Sequence, residues 1–113
     1  MFKSGRFVAE RLDELTEAQV QPNGVDLTLG AVYEQVEPGR IGLDGKTVGE
    51  RREVAPEDGV YALDTGSYVV EYGDRVVIPE GHVGFLYPRS SLLRNSCMLD
   101  TAVWDAGYEG RGE

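Results

Sequence analysis

The sequence predicts a mainly β protein: a distorted antiparallel β-barrel or jelly roll, with a short N-terminal helix and a second short helix just after Pro88. Three observations carry this. Between Val60 and Tyr87 the chain breaks at Thr65-Gly66, Gly73-Asp74 and Pro79-Glu80-Gly81, leaving short segments rich in Val, Ile, Tyr and Phe. In the last of these segments the side chains alternate, Val83, Phe85 and Tyr87 pointing one way and His82, Gly84 and Leu86 the other. Helical spacing belongs to the N-terminus, and from Gln21 onward the punctuation is that of strands and turns. Short strands so spaced make an antiparallel sandwich or barrel.

The elements follow in order. Residues 4–19 read as one helix, with Ser4 as N-cap and Phe7, Val8, Leu12 and Leu15 recurring at helical spacing. Gln21-Pro22-Asn23-Gly24 stops it. Residues 25–36 alternate in part, as a strand does. Residues 37–59, rich in glycine and charge, fit a hairpin or a flexible excursion with little burial. After the strands of 60–87, Pro88 starts about two helical turns over Arg89–Asn95, whose Leu92 and Leu93 serve the core. Cys97–Trp104 is expected as a further strand, and the final residues as a turn leading into another. The sequence then stops on Gly-Arg-Gly-Glu, so the expectation is a single domain over residues 1–113, incomplete at its C-terminus.

Composition narrows the function. A chain of 113 residues holds at most one domain with a modest core, and 41% hydrophobic with 27% charged residues argues for a folded protein. No apolar run approaches 18 residues and the N-terminus lacks an apolar signal core, which points away from membranes. One cysteine, Cys97, excludes an internal disulfide, fits a cytoplasmic, reducing setting, and is most simply a small buried hydrophobe. The net charge of −9 opposes binding to long nucleic acid or anionic membranes. Only Lys3 and Lys46 are lysines, a surface suited to high salt (halophilic), although a merely acidic protein fits as well.

Candidate chemistry is first narrowed by what is missing. One histidine, His82, and one cysteine rule out a His/Cys zinc site, and there is neither a G-x-S-x-G elbow nor a G-x-x-x-x-G-K-[ST] loop. His82, at a turn-strand junction, reads as structural or solvent-facing. A divalent cation would be oxygen-bound, which favours Mg²⁺ held by a substrate's own phosphates.

Two stretches stand out. In "PRSSLLR", 88–94, Arg89 and Arg94 flank Ser90 and Ser91. Arginine's planar fork suits phosphate or carboxylate oxygens, and Ser90 and Arg94, four apart, share a helical face. An ordinary solvated turn is the alternative. In "WDAGYEG", 104–110, Asp105 sits between Trp104 and a tight turn, and Tyr108 can stack on a sugar or base. A carboxylate shielded by aromatics can hold a water as general base; a turn-capping Asp with a core Tyr is the other possibility.

Together with "QPNGVDLTLG" upstream, these stretches resemble the trimeric dUTPase and dCTP deaminase superfamily, most closely its archaeal-type dUTPases. The resemblance rests on Asp26-Leu27, Arg89 to Arg94 and Asp105 to Gly110, in the family's order, and covers about residues 20–113. It implies a homotrimer of β-barrel or jelly-roll subunits that share their sites. It further implies that Arg89, Ser90 and Ser91 contact a triphosphate with Arg94 nearby, and that Asp105 activates the water attacking the α-phosphorus. Tyr108 would pack on the deoxyribose and oppose a 2′-hydroxyl, and Asp26 would support the site. The implied reaction turns dUTP into dUMP and pyrophosphate, with Mg²⁺ on the phosphates.

Deaminase members carry a His-Arg-containing stretch between Thr-Ala and the Asp, and a catalytic Glu on the following strand. Thr101-Ala102-Val103-Trp104-Asp105 is shorter and lacks the His-Arg, which favours the hydrolase. Three readings therefore stand: a dUTP diphosphatase, a dCTP deaminase (alone or bifunctional), and a non-catalytic nucleotide-binding β-module.

Overall fold

A computed structural model describes all 113 residues. In chain order its elements are α1 (Gly5–Ala9), β1 (Val20–Gln21), β2 (Gly24–Val25), β3 (Leu29–Gln35), β4 (Arg40–Gly42), β5 (Gly45–Thr47), β6 (Arg51–Glu53), β7 (Val69–Tyr72), β8 (Val76–Val77), α2 (Ser90–Arg94) and β9 (Glu109–Gly110). A 3₁₀ turn covers Glu17–Gln19. The protein is mainly β and every strand pairing is antiparallel, as the alternation predicts. The ladders form one three-stranded and three two-stranded sheets. Two compact units result: residues 1–26 with 74–112, and residues 27–73 with Glu113.

The first unit begins at Ser4, whose hydroxyl accepts the Phe7 amide at 3.2 Å, the expected N-cap. The helix is shorter than its apolar spacing predicts. It ends at Ala9, and Glu14 takes a left-handed φ of 58°. Continued to residue 19, it would set Glu10 against Glu14 and Asp13 against Glu17, like-charge pairs at i,i+4. Tight turns instead carry Leu12 into the core, through its amide bond to Ala9 O at 3.2 Å.

"QPNG" does more than stop a helix. Pro22 and Asn23 form the two-residue turn of the β1–β2 hairpin, in register Val20↔Val25 and Gln21↔Gly24, and Pro22 O accepts the amide of Gly5 at 3.1 Å. At the other end of the chain β8 pairs with β9, Val76↔Gly110 and Val77↔Glu109. Two further bonds extend this ladder, Ile78 N to Tyr108 O and Gly107 N to Ile78 O, both 2.9 Å. Val76 and Ile78, two apart, are buried together.

Further expectations are corrected in this unit. Residues 97–103 form no strand; only Trp104 makes a bridge, to Gly84, because no neighbouring strand offers them a ladder. Leu92 and Leu93 are 45% and 61% exposed. With barely more than one turn, α2 cannot gather an apolar stripe before it closes. It closes at Ser96, in the left-handed region at φ 60°, with Ser96 N bonded to Leu93 O and Cys97 N to Leu92 O. Cys97 is thereby held at the surface, exposed rather than buried. Pro88 precedes the N-cap Arg89 instead of opening the first turn. Residues 82–87 alternate in burial, with Val83, Phe85 and Tyr87 as the exposed set, but they form no strand beyond the bridge at Gly84. His82 has a structural place, its ring stacked on Phe7 at 5.3 Å and its Nδ1 2.9 Å from Glu80 O.

In the second unit β3 lies between β6 and β7 and buries Ala31 and Val32, with Tyr72 of β7. The register shifts between Leu29 and Ala31, a bulge at Gly30. Residues 37–59 supply the expected exposed hairpin, β4–β5, turning at Leu43-Asp44. Arg40 bonds Asp44 at 2.9 Å and holds its carboxyl below the usual carboxylate value.

Candidate functional site

Three of the sequence's motifs fall in the first unit. Asp26 follows β2 directly and is held by Gln19 of the 3₁₀ turn and Gln21 of β1. Its amide donates to Gln19 O at 2.8 Å, and its carbonyl accepts Gln19 Nε2 at 3.0 Å. Its carboxylate accepts Gln21 Nε2 at 3.1 Å and forms an ion pair with Arg89 Nη1, 63 positions further along the chain. The Asp26 side chain is 31% exposed and that of Arg89 60%. The structure thus unites the first motif with the second.

Arg89 occupies the N-cap position of α2 in extended backbone. Ser90, Ser91 and Arg94 follow on the helix, all exposed, so their hydroxyls and guanidinium face solvent. Asn95 holds the helix end by donating from Nδ2 to Ser91 O at 2.9 Å. The segment presents polar groups and buries none, as an anion-contacting surface requires.

The third motif is a turn at the end of the β8–β9 ladder. Asp105 O accepts the Tyr108 amide at 3.1 Å, and Gly107 adopts φ +81°, a conformation that side-chain-bearing residues avoid. The Asp105 carboxylate is exposed, so the shielding anticipated from its aromatic neighbours is not built within this chain. Those neighbours stack on each other. Trp104 and Tyr108 lie parallel, 5° apart in plane and 6.0 Å between centroids, and Tyr108 OH donates to Arg111 O at 3.0 Å. Gly112 makes room for the indole: a Cβ there would stand 2.3 Å from Trp104 Cζ2. Tyr108 is therefore fixed in orientation and only half-buried.

No hydrogen bond or ion pair links Asp105 or Tyr108 to the Arg89–Arg94 segment. A cleft of about 490 Å³ lies elsewhere, in the second unit; it runs past Val36, Pro38 and Tyr68 and includes none of these residues. No three His, Cys, Asp or Glu side chains converge in a way that could hold a metal ion. No helix is long and apolar enough to cross a membrane. Neither Gln19 nor Gln21 belongs to a motif that marks it as a site residue. The signal was Asn23-Gly24 after a β-forming Val20, which marks a hairpin whose strands must place their side chains somewhere.

Residues 2–113 match the family described as dCTP deaminase-like. The chain belongs to this family. A relative from Halobacterium salinarum, "Probable deoxyuridine 5'-triphosphate nucleotidohydrolase", is 55% identical over 119 residues, which cover all of this chain and 72% of the relative. A protein of the same name from Aeropyrum pernix is 45% identical over 83% of this chain and 59% of its own length. "Deoxyuridine 5'-triphosphate nucleotidohydrolase" from Methanocaldococcus jannaschii is 38% identical over 89% of the chain and 67% of its own length. The chain thus spans between 59% and 72% of these three relatives. No solved structure matches it.

Proposed function

We propose that the protein is a cytoplasmic dUTP nucleotidohydrolase that converts dUTP to dUMP and pyrophosphate. The observation that carries this reading is the contrast in the first unit between a cation-and-hydroxyl surface at Arg89, Ser90, Ser91 and Arg94 and a free carboxylate, Asp105, on a rigid turn. The names of relatives such as the Halobacterium protein supply the substrate.

Each group then has a task. Arg89 and Arg94 balance the triphosphate's charge, and the serine hydroxyls donate to its oxygens. Tyr108, held by Trp104 and Arg111 O, offers a flat face to the deoxyribose, where a 2′-hydroxyl would collide. Asp105 takes a proton from water as the water oxygen bonds to the α-phosphorus. The bond from the α-phosphorus to the bridging oxygen breaks, and pyrophosphate leaves. Such a reaction needs little covalent help, so positioning and charge neutralisation carry the rate. The chain's own donors fit a divalent cation only as partners to the triphosphate, since they form no three-ligand cluster. Mg²⁺ on the phosphate oxygens would supply further charge neutralisation. The assembly is a homotrimer, a state supported by exposed apolar side chains of the first unit such as Val83, Phe85, Leu93 and Met98.

The second reading, a dCTP deaminase, draws on the family's description. One experiment separates them. Incubated with each nucleotide, the purified protein releases pyrophosphate from dUTP and no ammonia from dCTP. Ammonia release would move it to the deaminase branch, and turnover of neither would leave a nucleotide-binding module.

A further inference from the structure

We infer that Asp26 and Gln21 are positioning residues that hold Arg89 ready for a triphosphate, an inference resting on the reading above only in that Arg89 meets phosphate. Arg89 has five N–H donors, and one of them, on Nη1, goes to Asp26 Oδ2. The others stay available on an exposed side chain. Asp26 is itself held. Gln21 Nε2 donates to the same Oδ2 at 3.1 Å and to Ala18 O at 3.1 Å, which uses both of its protons and fixes the amide's orientation. Gln19 clamps Asp26 O, while its own Oε1 accepts Thr16 N at 3.0 Å. A run of fixed groups therefore leads from the 3₁₀ turn through Gln21 and Asp26 to a guanidinium 63 positions away.

The pair is too exposed to stabilise the fold appreciably. Its effect falls on Arg89 itself. A free arginine loses rotamer freedom when it grips an anion, whereas a tethered one has already lost it. Asp26 also repels the phosphates, but across a solvated surface that repulsion is screened. Preorganisation outweighs it, so removing the Asp26 charge weakens triphosphate binding. Since the tether acts on phosphate held in the ground and transition states alike, the loss appears in KM more than in kcat.

The test is a double-mutant cycle on the purified protein. Asp26→Asn should raise KM for dUTP about tenfold and change kcat less than about threefold. Gln21→Met should raise KM by about threefold, and Asp26→Glu should recover part of the loss. In an Arg89→Ala background, Asp26→Asn should shift KM by less than about twofold, because the guanidinium that it holds is gone. Additive effects, or an Asp26→Asn protein that binds more tightly, would overturn the inference. If Asp26→Asn fails to fold, the cycle of Gln21→Met with Arg89→Ala decides in its place. Calorimetry with inorganic triphosphate runs the same cycle without turnover. Coupling seen there in a protein that leaves dUTP intact would retain the tether and discard the hydrolase.

Discussion

Two aspartates, one following a hairpin and one opening a tight turn, have opposite surroundings. Asp26 follows the β1–β2 hairpin with its amide, carbonyl and carboxylate all engaged. Asp105 begins the turn into β9 with only its backbone engaged and its carboxylate in solvent. A carboxylate whose oxygen is occupied by a guanidinium serves as an anchor, whereas one open to solvent has room to hold a water. The same side chain thus supports two roles, and local hydrogen bonding separates them.

The comparison breaks most decisively at Asp105. Asp105→Asn keeps the shape and removes the base, so turnover of dUTP should fall by at least about a hundredfold. A non-hydrolysable dUTP analogue should still bind with near-normal affinity by calorimetry. Pyrophosphate release within a factor of a few of the parent protein would make Asp105 a turn residue like many others. The next effect belongs to the partner of Asp26. Arg89→Ala or Ser90→Ala should lower kcat/KM for dUTP by about tenfold to a hundredfold, the range of a lost charge-assisted hydrogen bond. Competition by dUMP should be far less affected. Equal losses for dUMP and dUTP would show that the loop reads something other than the β- and γ-phosphates.

How much of this the sequence revealed depends on range. Ser4 as a cap, the breaks at Gly66, Gly73 and Gly81, and the helix after Arg89 are local decisions, made by residues touching their near neighbours, and they appear where expected. The helix expected over 4–19 stops at Ala9: apolar spacing favours the longer helix, and like charges four apart oppose it. Cys97–Trp104 has strand-forming residues, yet a strand also needs a partner, and none is supplied locally. The Asp26–Arg89 pair is the extreme case. Both residues stand out in the sequence, but their contact spans 63 positions and depends on how the hairpin and α2 are placed in one unit.

Smaller effects sharpen the contrast from the Asp105 side. Gly107 holds φ +81°, so Gly107→Ala should destabilise the protein by about 1–2 kcal/mol and displace the turn that carries Asp105. Thermal denaturation and dUTP turnover should fall together; a variant equally stable and equally active would mean that the turn relaxes freely. The mildest effect concerns the whole acidic surface. With a net charge of −9, the protein should melt at higher temperature in molar KCl than in dilute buffer, because screening lengths shrink to about 3 Å at 1 M. A melting point indifferent to salt would remove the high-salt adaptation and leave both aspartates as they are.

Trp104 is the single tryptophan of the chain, and it stacks on Tyr108 immediately beside Asp105. The protein therefore carries its own optical reporter at the point where a sugar would arrive. Excited at the red edge of indole absorption, its emission comes from one known position, with no background from other tryptophans to subtract. If a nucleotide settles against Tyr108 as proposed, the polarity around that ring pair should change, and with it the wavelength and yield of the emitted light. Binding and release should then be visible in real time without an added label, including in variants such as Asp105→Asn whose turnover is expected to be slow.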